Sequence, residues 1–182
     1  VGFKGRPNIG SVVLNKIIKA PEWNTFTQLF NSGDSIFIIS SIFGGTGAAG
    51  FPLLLKNLRN PEMNNAGIIN KAVIGAISYM PYFKLSRPSD EEADFIDSST
   101  FMSKAKAALG YYGNTIFSSN DNLEFFYHIG DLNNTSHENN PGKELQKNNA
   151  NFLELAGAIS IIDFDSHRTA VNAGDRTVIK EF

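Results

Sequence analysis

Residues 35–55, SIFIISSIFGGTGAAGFPLLL, constrain the fold more than any other part of the chain. Ser35 to Phe43 is an apolar, β-branched run with little alternation, the pattern of a strand covered on both faces. Gly44-Gly45-Thr46-Gly47-Ala48-Ala49-Gly50 follows as a glycine-rich turn, and Phe51-Pro52-Leu53-Leu54-Leu55 opens an apolar helix. α/β proteins hold phosphate with these parts in this order. The first helical N–H groups are unpaired and carry roughly half a positive charge, and glycines let the backbone approach an anion closely. A tight strand-to-helix turn without ligand uses the same residues, so the turn alone does not decide the matter.

The rest of the chain supplies alternating elements. Residues 11–19 read as a helix with Val12, Val13, Ile17 and Ile18 as its apolar groups, ended by Pro21, and 23–30 as a second short helix closed by Asn31-Ser32-Gly33. A strand is expected at 36–42. A helix is expected at 51–58, with Pro52 in its first turn, where a missing N–H costs nothing, and Asn60-Pro61-Glu62 as its break. Residues 71–79 form the next apolar run, and 88–95 a polar, acidic loop or helix start. Ser98 or Ser99 is expected to cap a helix through Leu109, with Met102, Ala105 and Leu109 on one face and Gly113-Asn114 as its end. A strand at 122–129, a long loop at 132–147 rich in Asn, Ser, Gly and Pro, and a helix at 151–163 follow, while 168–182 shows no pattern. This alternation predicts an α/β fold, a mostly parallel sheet with helices on both faces.

Composition narrows the function. The 182 residues suit one domain with its own core, and 16 basic against 18 acidic side chains leave a net charge of −2, no footprint for nucleic acid or a membrane surface. Without cysteine there is no disulfide and no thiolate chemistry, and no run approaches the roughly 18 apolar residues of a membrane span. No signal peptide opens the chain, so a cytoplasmic protein is expected, and the glycosylation-like triplets starting at Asn133 and Asn134 carry no weight. The 15 Phe and single Trp23, without accompanying basic residues, fit a core better than a base-stacking platform.

Other chemical candidates are plain. His128 falls within a strand and reads as a satisfied core histidine, and His137 as a solvated one. Asp163-x-Asp165-x-His167 has a metal-like spacing but no further ligand in range, so no metal site is expected. Asp90, Glu91, Glu92 and Asp94 suit an exposed helix start, and Ser40 and Ser41 have no adjacent base. Asp131 and Asn133 lie just past a strand end, where open α/β sheets bind ligands. They reach a sugar or base there, or belong to an ordinary polar loop.

Two families use strings close to GGTGAAGFP. Spaced as Gly44-x-x-Gly47-x-x-Gly50, it resembles the dinucleotide fingerprint of short-chain dehydrogenases and their NmrA-like relatives. That resemblance lacks its context: some forty residues precede the motif, the next strand ends in Pro81-Tyr82-Phe83 with no acid for a ribose, and no Tyr-x-x-x-Lys pair exists. Read as a block, the string resembles the tubulin/FtsZ signature, with Phe43 in place of the first glycine. Gly2-Phe3-Lys4-Gly5-Arg6-Pro7-Asn8-Ile9-Gly10 resembles that family's upstream phosphate loop. Val73 to Phe83 is similar to the strand before its sugar loop, although Leu85 stands where the family has Glu. Residues 148–156 resemble the start of the helix that meets the base.

The tubulin/FtsZ resemblance implies GTP with Mg²⁺, filament assembly and GTP hydrolysis between subunits, as in the bacterial cytoskeleton. It implies phosphate contacts from Gly44, Gly45, Thr46, Gly47 and Ala48, and an approach to the terminal phosphate by Gly5, Pro7 and Asn8. Asn148, Asn149 and Asn151 would lie near the base. The family's first strand and loop would precede Val1 and its catalytic acid would follow Phe182. The resemblance therefore implies a partial nucleotide-binding domain over 1–182, inactive as a GTPase by itself. The other two readings are an NAD(P)-binding domain and a degenerate interaction scaffold without nucleotide.

Overall fold

A computed structural model describes residues 2–63, 67–87, 96–118, 123–131, 135–139 and 149–181. Four strands, β1 (Ile36–Ser41), β2 (Ile74–Tyr79), β4 (Phe125–Ile129) and β6 (Val178–Glu181), form a wholly parallel sheet in the order β1-β2-β4-β6. One row across it reads Ile38, Ala76, Phe126, Ile179. Both faces are covered, which is why the runs do not alternate. Ile38, Ile74, Ala76 and Phe126 pack against α2 (Pro21–Leu29), α3 (Gly45–Arg59) and α4 (Phe101–Thr115), where Trp23, Phe51, Leu55 and Tyr112 are buried. Ile77, Phe125, Tyr127 and Ile129 point the other way, against Leu153 and Phe164 of α5 (Phe152–His167). The expected α/β architecture, a mostly parallel sheet with helices on both faces, is present.

Several boundaries differ from the sequence reading, each for a local reason. The single helix expected over 11–19 is α1 (Pro7–Leu14) followed by a separate 3₁₀ turn at Ile17–Lys19. Pro7 and Pro21 each open a helix rather than close one, because a proline at the first helical position removes an N–H that has no partner there. Helix α3 begins at Gly45, six residues earlier than expected, so Pro52 sits in its interior. Pro52 cannot donate to the carbonyl of Ala48, and the Tyr112 hydroxyl donates to that oxygen instead, at 3.4 Å. Asp97, not Ser98 or Ser99, caps the 3₁₀ turn that leads into α4 by accepting from the Ser99 N–H. Helix α4 continues through Gly110 and Gly113, held by buried Tyr112.

Within the expected loop 132–147, Thr135–His137 is a strand, β5, paired in parallel with β3 (Phe83–Leu85). Helix α5 starts with a full capping box. The Asn151 side chain accepts from the Leu153 N–H at 2.9 Å, and Glu154 accepts from the Asn151 N–H at 3.2 Å. It runs past the expected end at 163 because Phe164 is buried.

The amino edge of the sheet is tied by a carboxylate. Glu124, fully buried, accepts from Arg59 Nη2 on both carboxylate oxygens at 2.8 Å, and also from the N–H groups of Ile74 and Gly174, at 2.6 and 2.9 Å. Four elements meet on one side chain: the end of α3, the starts of β2 and β4, and the turn before β6. The carboxyl edge is open, and the phosphate-type turn lies there.

Candidate functional site

The site is built at the carboxyl end of β1. The chain leaves the sheet with the Ile42 N–H donating to the Tyr79 carbonyl at 3.0 Å, then passes through Phe43 to Gly44, the N-cap of α3. No side chain caps this helix and its first turn holds no acid. Its first N–H groups therefore keep their positive end exposed to whatever lies above.

The loop 2–7 lies above. It turns sharply, with Lys4 and Gly5 at positive φ (45° and 71°) and the Arg6 N–H donating to the Phe3 carbonyl at 2.8 Å. The Phe3 N–H donates to the Thr46 hydroxyl oxygen at 3.4 Å. A Cβ on Gly45 would come within 2.7 Å of the Arg6 nitrogen and 2.9 Å of the Phe3 carbonyl oxygen. One on Gly10 would reach 2.7 Å from the Gly45 carbonyl, and one on Gly47 would reach 2.5 Å from the Ser41 carbonyl. Gly45 and Gly47, with Gly10 of α1, are thus the places where loop 2–7, α1 and β1 touch α3 backbone to backbone. A side chain added at Gly45 or Gly47 would therefore meet the chain itself.

Pro7, Asn8, Gly44 and Ala48, four of the expected residues, line one cleft of ≈ 450 Å³ between α1, α3 and α4. Lys104 and Tyr111 of α4 line it too, and a Cβ on Gly5 would lie 3.3 Å from the Lys104 ammonium. Lys104 carried no sequence signal, being one lysine in a helix with another at 106.

The remaining described candidates sit outside this cleft. Asp131 is exposed, two residues past the end of β4. Asn149 is exposed and Asn151 is occupied as the cap of α5, which packs on the opposite face from α3. Asn133 and Asn148 lie outside the described residues, as do Asp90, Glu91, Glu92 and Asp94. Tyr79 packs on Gly157, where a Cβ would stand 1.6 Å from the phenol oxygen. Burial first, and then the Glu154 carboxylate, raise the Tyr79 and Tyr82 phenols above the usual tyrosine value.

The other chemical candidates resolve into structure. Asp163 accepts from the Tyr127 hydroxyl at 2.6 Å and pairs with Lys180, while Asp165 pairs with Arg168 at 2.7 Å. Among the described residues no three His, Asp or Glu side chains gather to hold a metal ion. His128 is half-buried with its Nδ1 unpartnered among the described residues, so it is not the satisfied histidine expected. Desolvation pushes it below its ordinary value, against an opposing pull from Glu181.

One exposed feature stands apart. Phe152, Leu155, Ile159 and Ile162 follow helical spacing along the outer side of α5 and are 77%, 60%, 55% and 70% exposed. Among the described residues no helix is long and apolar enough to cross a membrane. No protein-family model matches the chain, and no curated protein matches it.

Proposed function

We propose that the chain binds the phosphates of a nucleotide over the first turn of α3, as a relative of the tubulin/FtsZ-like GTP-binding proteins that its motifs resemble. The observation that carries this reading is the meeting of loop 2–7 with Gly45 and Thr46, some forty residues away in sequence. These are the two segments that the resemblance assigns to the phosphates. In this reading the first-turn N–H groups of α3 and the Thr46 hydroxyl hold the phosphates. Thr46 is exposed, and among the described residues its oxygen accepts a long bond from Phe3, leaving its hydrogen for a phosphate oxygen. Gly5, Pro7 and Asn8 approach the terminal phosphate. Asp131, Asn149 and Asn151, with Asn133 and Asn148, serve the sugar and base. Mg²⁺ enters with the nucleotide, held by phosphates and water. Filament formation, GTP hydrolysis and a cytoplasmic, cytoskeletal role belong to this proposal.

A second reading, an interaction scaffold without nucleotide, is favoured by one observation. Contacts within the chain already account for Gly45 and Gly47. The two readings separate in thermal unfolding of the protein with GTP and Mg²⁺, ATP or NADPH. A ligand at about a hundred times its dissociation constant adds about 2.7 kcal/mol. Stabilisation by GTP that Thr46→Val removes supports the first reading, and stabilisation by NADPH moves the site to the dinucleotide binders. No stabilisation by any of the three leaves the scaffold.

A further inference from the structure

The cleft between α1, α3 and α4 stays open because small residues line it where two helices would otherwise interdigitate: Ala48 on α3, and Ala107 and Ala108 on α4. Pro52, Leu53 and Tyr111 extend an apolar lining, and the volume of ≈ 450 Å³ is that of a small-molecule site. Charge at this cleft has one sign. Lys104 is half-buried in the first turn of α4, where a cation opposes the helix dipole, and that turn contains no acid. Among the described residues Lys104 has no ion pair. The acid whose field it shares is Asp97, which is half-buried and already accepts from the Ser99 N–H. Gly44, the uncapped start of α3, lines the same cleft. An apolar lining, a lysine without an ion pair among the described residues and the uncapped start of α3 suit a ligand with an apolar body and one acidic end.

We propose that this cleft binds a small amphipathic anion, its flat apolar body against Pro52, Leu53 and Tyr111 and its acidic group on Lys104. The site shares Pro7, Asn8, Gly44 and Ala48 with the proposed phosphate contacts but requires no nucleotide. Loss of GTP binding therefore leaves this proposal standing, and its failure leaves the nucleotide reading standing. The test is titration of the protein with 8-anilinonaphthalene-1-sulfonate and, separately, with neutral N-phenyl-1-naphthylamine, read by fluorescence. Thermal melts establish that each variant is folded. One saturable site for the sulfonate is expected. Lys104→Gln weakens it about tenfold, the loss of one hydrogen bond to a charged group, and leaves the neutral dye unchanged. Ala107→Trp, at an exposed position of the lining, abolishes both. Sulfonate binding that survives Ala107→Trp places the dye elsewhere, the α5 stripe included, and overturns the proposal. Equal sulfonate affinity in Lys104→Gln overturns the anion recognition at its centre.

Discussion

Helices α3 and α4 are both 15 residues long, lie on the same face of the sheet and both contain glycines, yet the glycines mean different things. In α3 a Cβ on Gly45 or Gly47 would enter backbone of loop 2–7 or β1, and one on Gly50 would press Leu14 at 3.3 Å. In α4 a Cβ on Gly110 or Gly113 meets nothing within 4 Å. The ends differ too. Arg59 ties the last turn of α3 to buried Glu124, whereas the last turn of α4 closes on itself through Thr115 and the Tyr111 carbonyl. A glycine-rich helix start is informative only once it is known what a side chain there would strike. In α3 it strikes the chain.

The largest effect is expected at the tied end of α3. Arg59→Ala strands a fully buried carboxylate, and removal of one partner from such a pair costs about 3–5 kcal/mol. Urea unfolding measures it. A loss under about 1 kcal/mol, the range of an exposed pair, would mean that this ion pair is not what fastens this end.

Gly47→Val comes next. Its Cβ would stand 2.5 Å from the Ser41 carbonyl oxygen and 2.8 Å from the Ser41 nitrogen, so β1 or α3 must shift, at about 2–3 kcal/mol. The variant loses stability without any ligand. If it instead keeps its unfolding midpoint and loses only nucleotide affinity, the glycine serves an anion after all, and the comparison with α4 collapses.

Tyr112 links the two helices. Its hydroxyl meets the Ala48 carbonyl that Pro52 leaves without a helical donor, at 3.4 Å, which is long for such a bond. Burial, with a smaller push from Tyr111, lifts the Tyr112 phenol far above its usual value, so it stays a donor across the working pH range. Tyr112→Phe keeps the ring packed on Phe51 at 5.2 Å and is expected to cost about 0.5–1.5 kcal/mol by thermal melting. No change would mean that the Ala48 carbonyl finds water from the adjoining cleft.

Strands β1, β2 and β4 were legible because 36–42, 71–79 and 122–129 are apolar runs too dense for a one-sided sheet. Helix starts were less so. Pro21 looks like a stop in a linear reading, and only the N–H accounting of the folded helix makes it a start. Strands β5 and β6 are three and four residues long, too short to show a period, and β5 is polar. Glu124 and Arg59 are 65 positions apart, and nothing local marks either as buried. At the site, motif order foretold that loop 2–7 and Gly44–Ala48 belong together. Lys104 enters only through the packing of α4, which no spacing encodes.

The smallest effect, and the one with the opposite sign, belongs to α4. Gly110 and Gly113 are exposed, neither takes a positive φ, and each sits within regular helix where alanine is favoured. Since an added methyl meets nothing within 4 Å, it costs no strain in the folded state, while alanine leaves the unfolded chain fewer conformations to lose. Gly113→Ala is therefore expected to stabilise the protein by about 0.5–1 kcal/mol, and Gly110→Ala by a similar amount. The same change at Gly47, in a helix of the same length, must destabilise, since the methyl alone reaches Ser41. The pair of melting curves sets two glycine-to-alanine changes of opposite sign side by side. Stabilisation at both would mean that β1 and α3 yield to the methyl at little cost. Destabilisation at Gly113 would mean that α4 has a neighbour on its outer side.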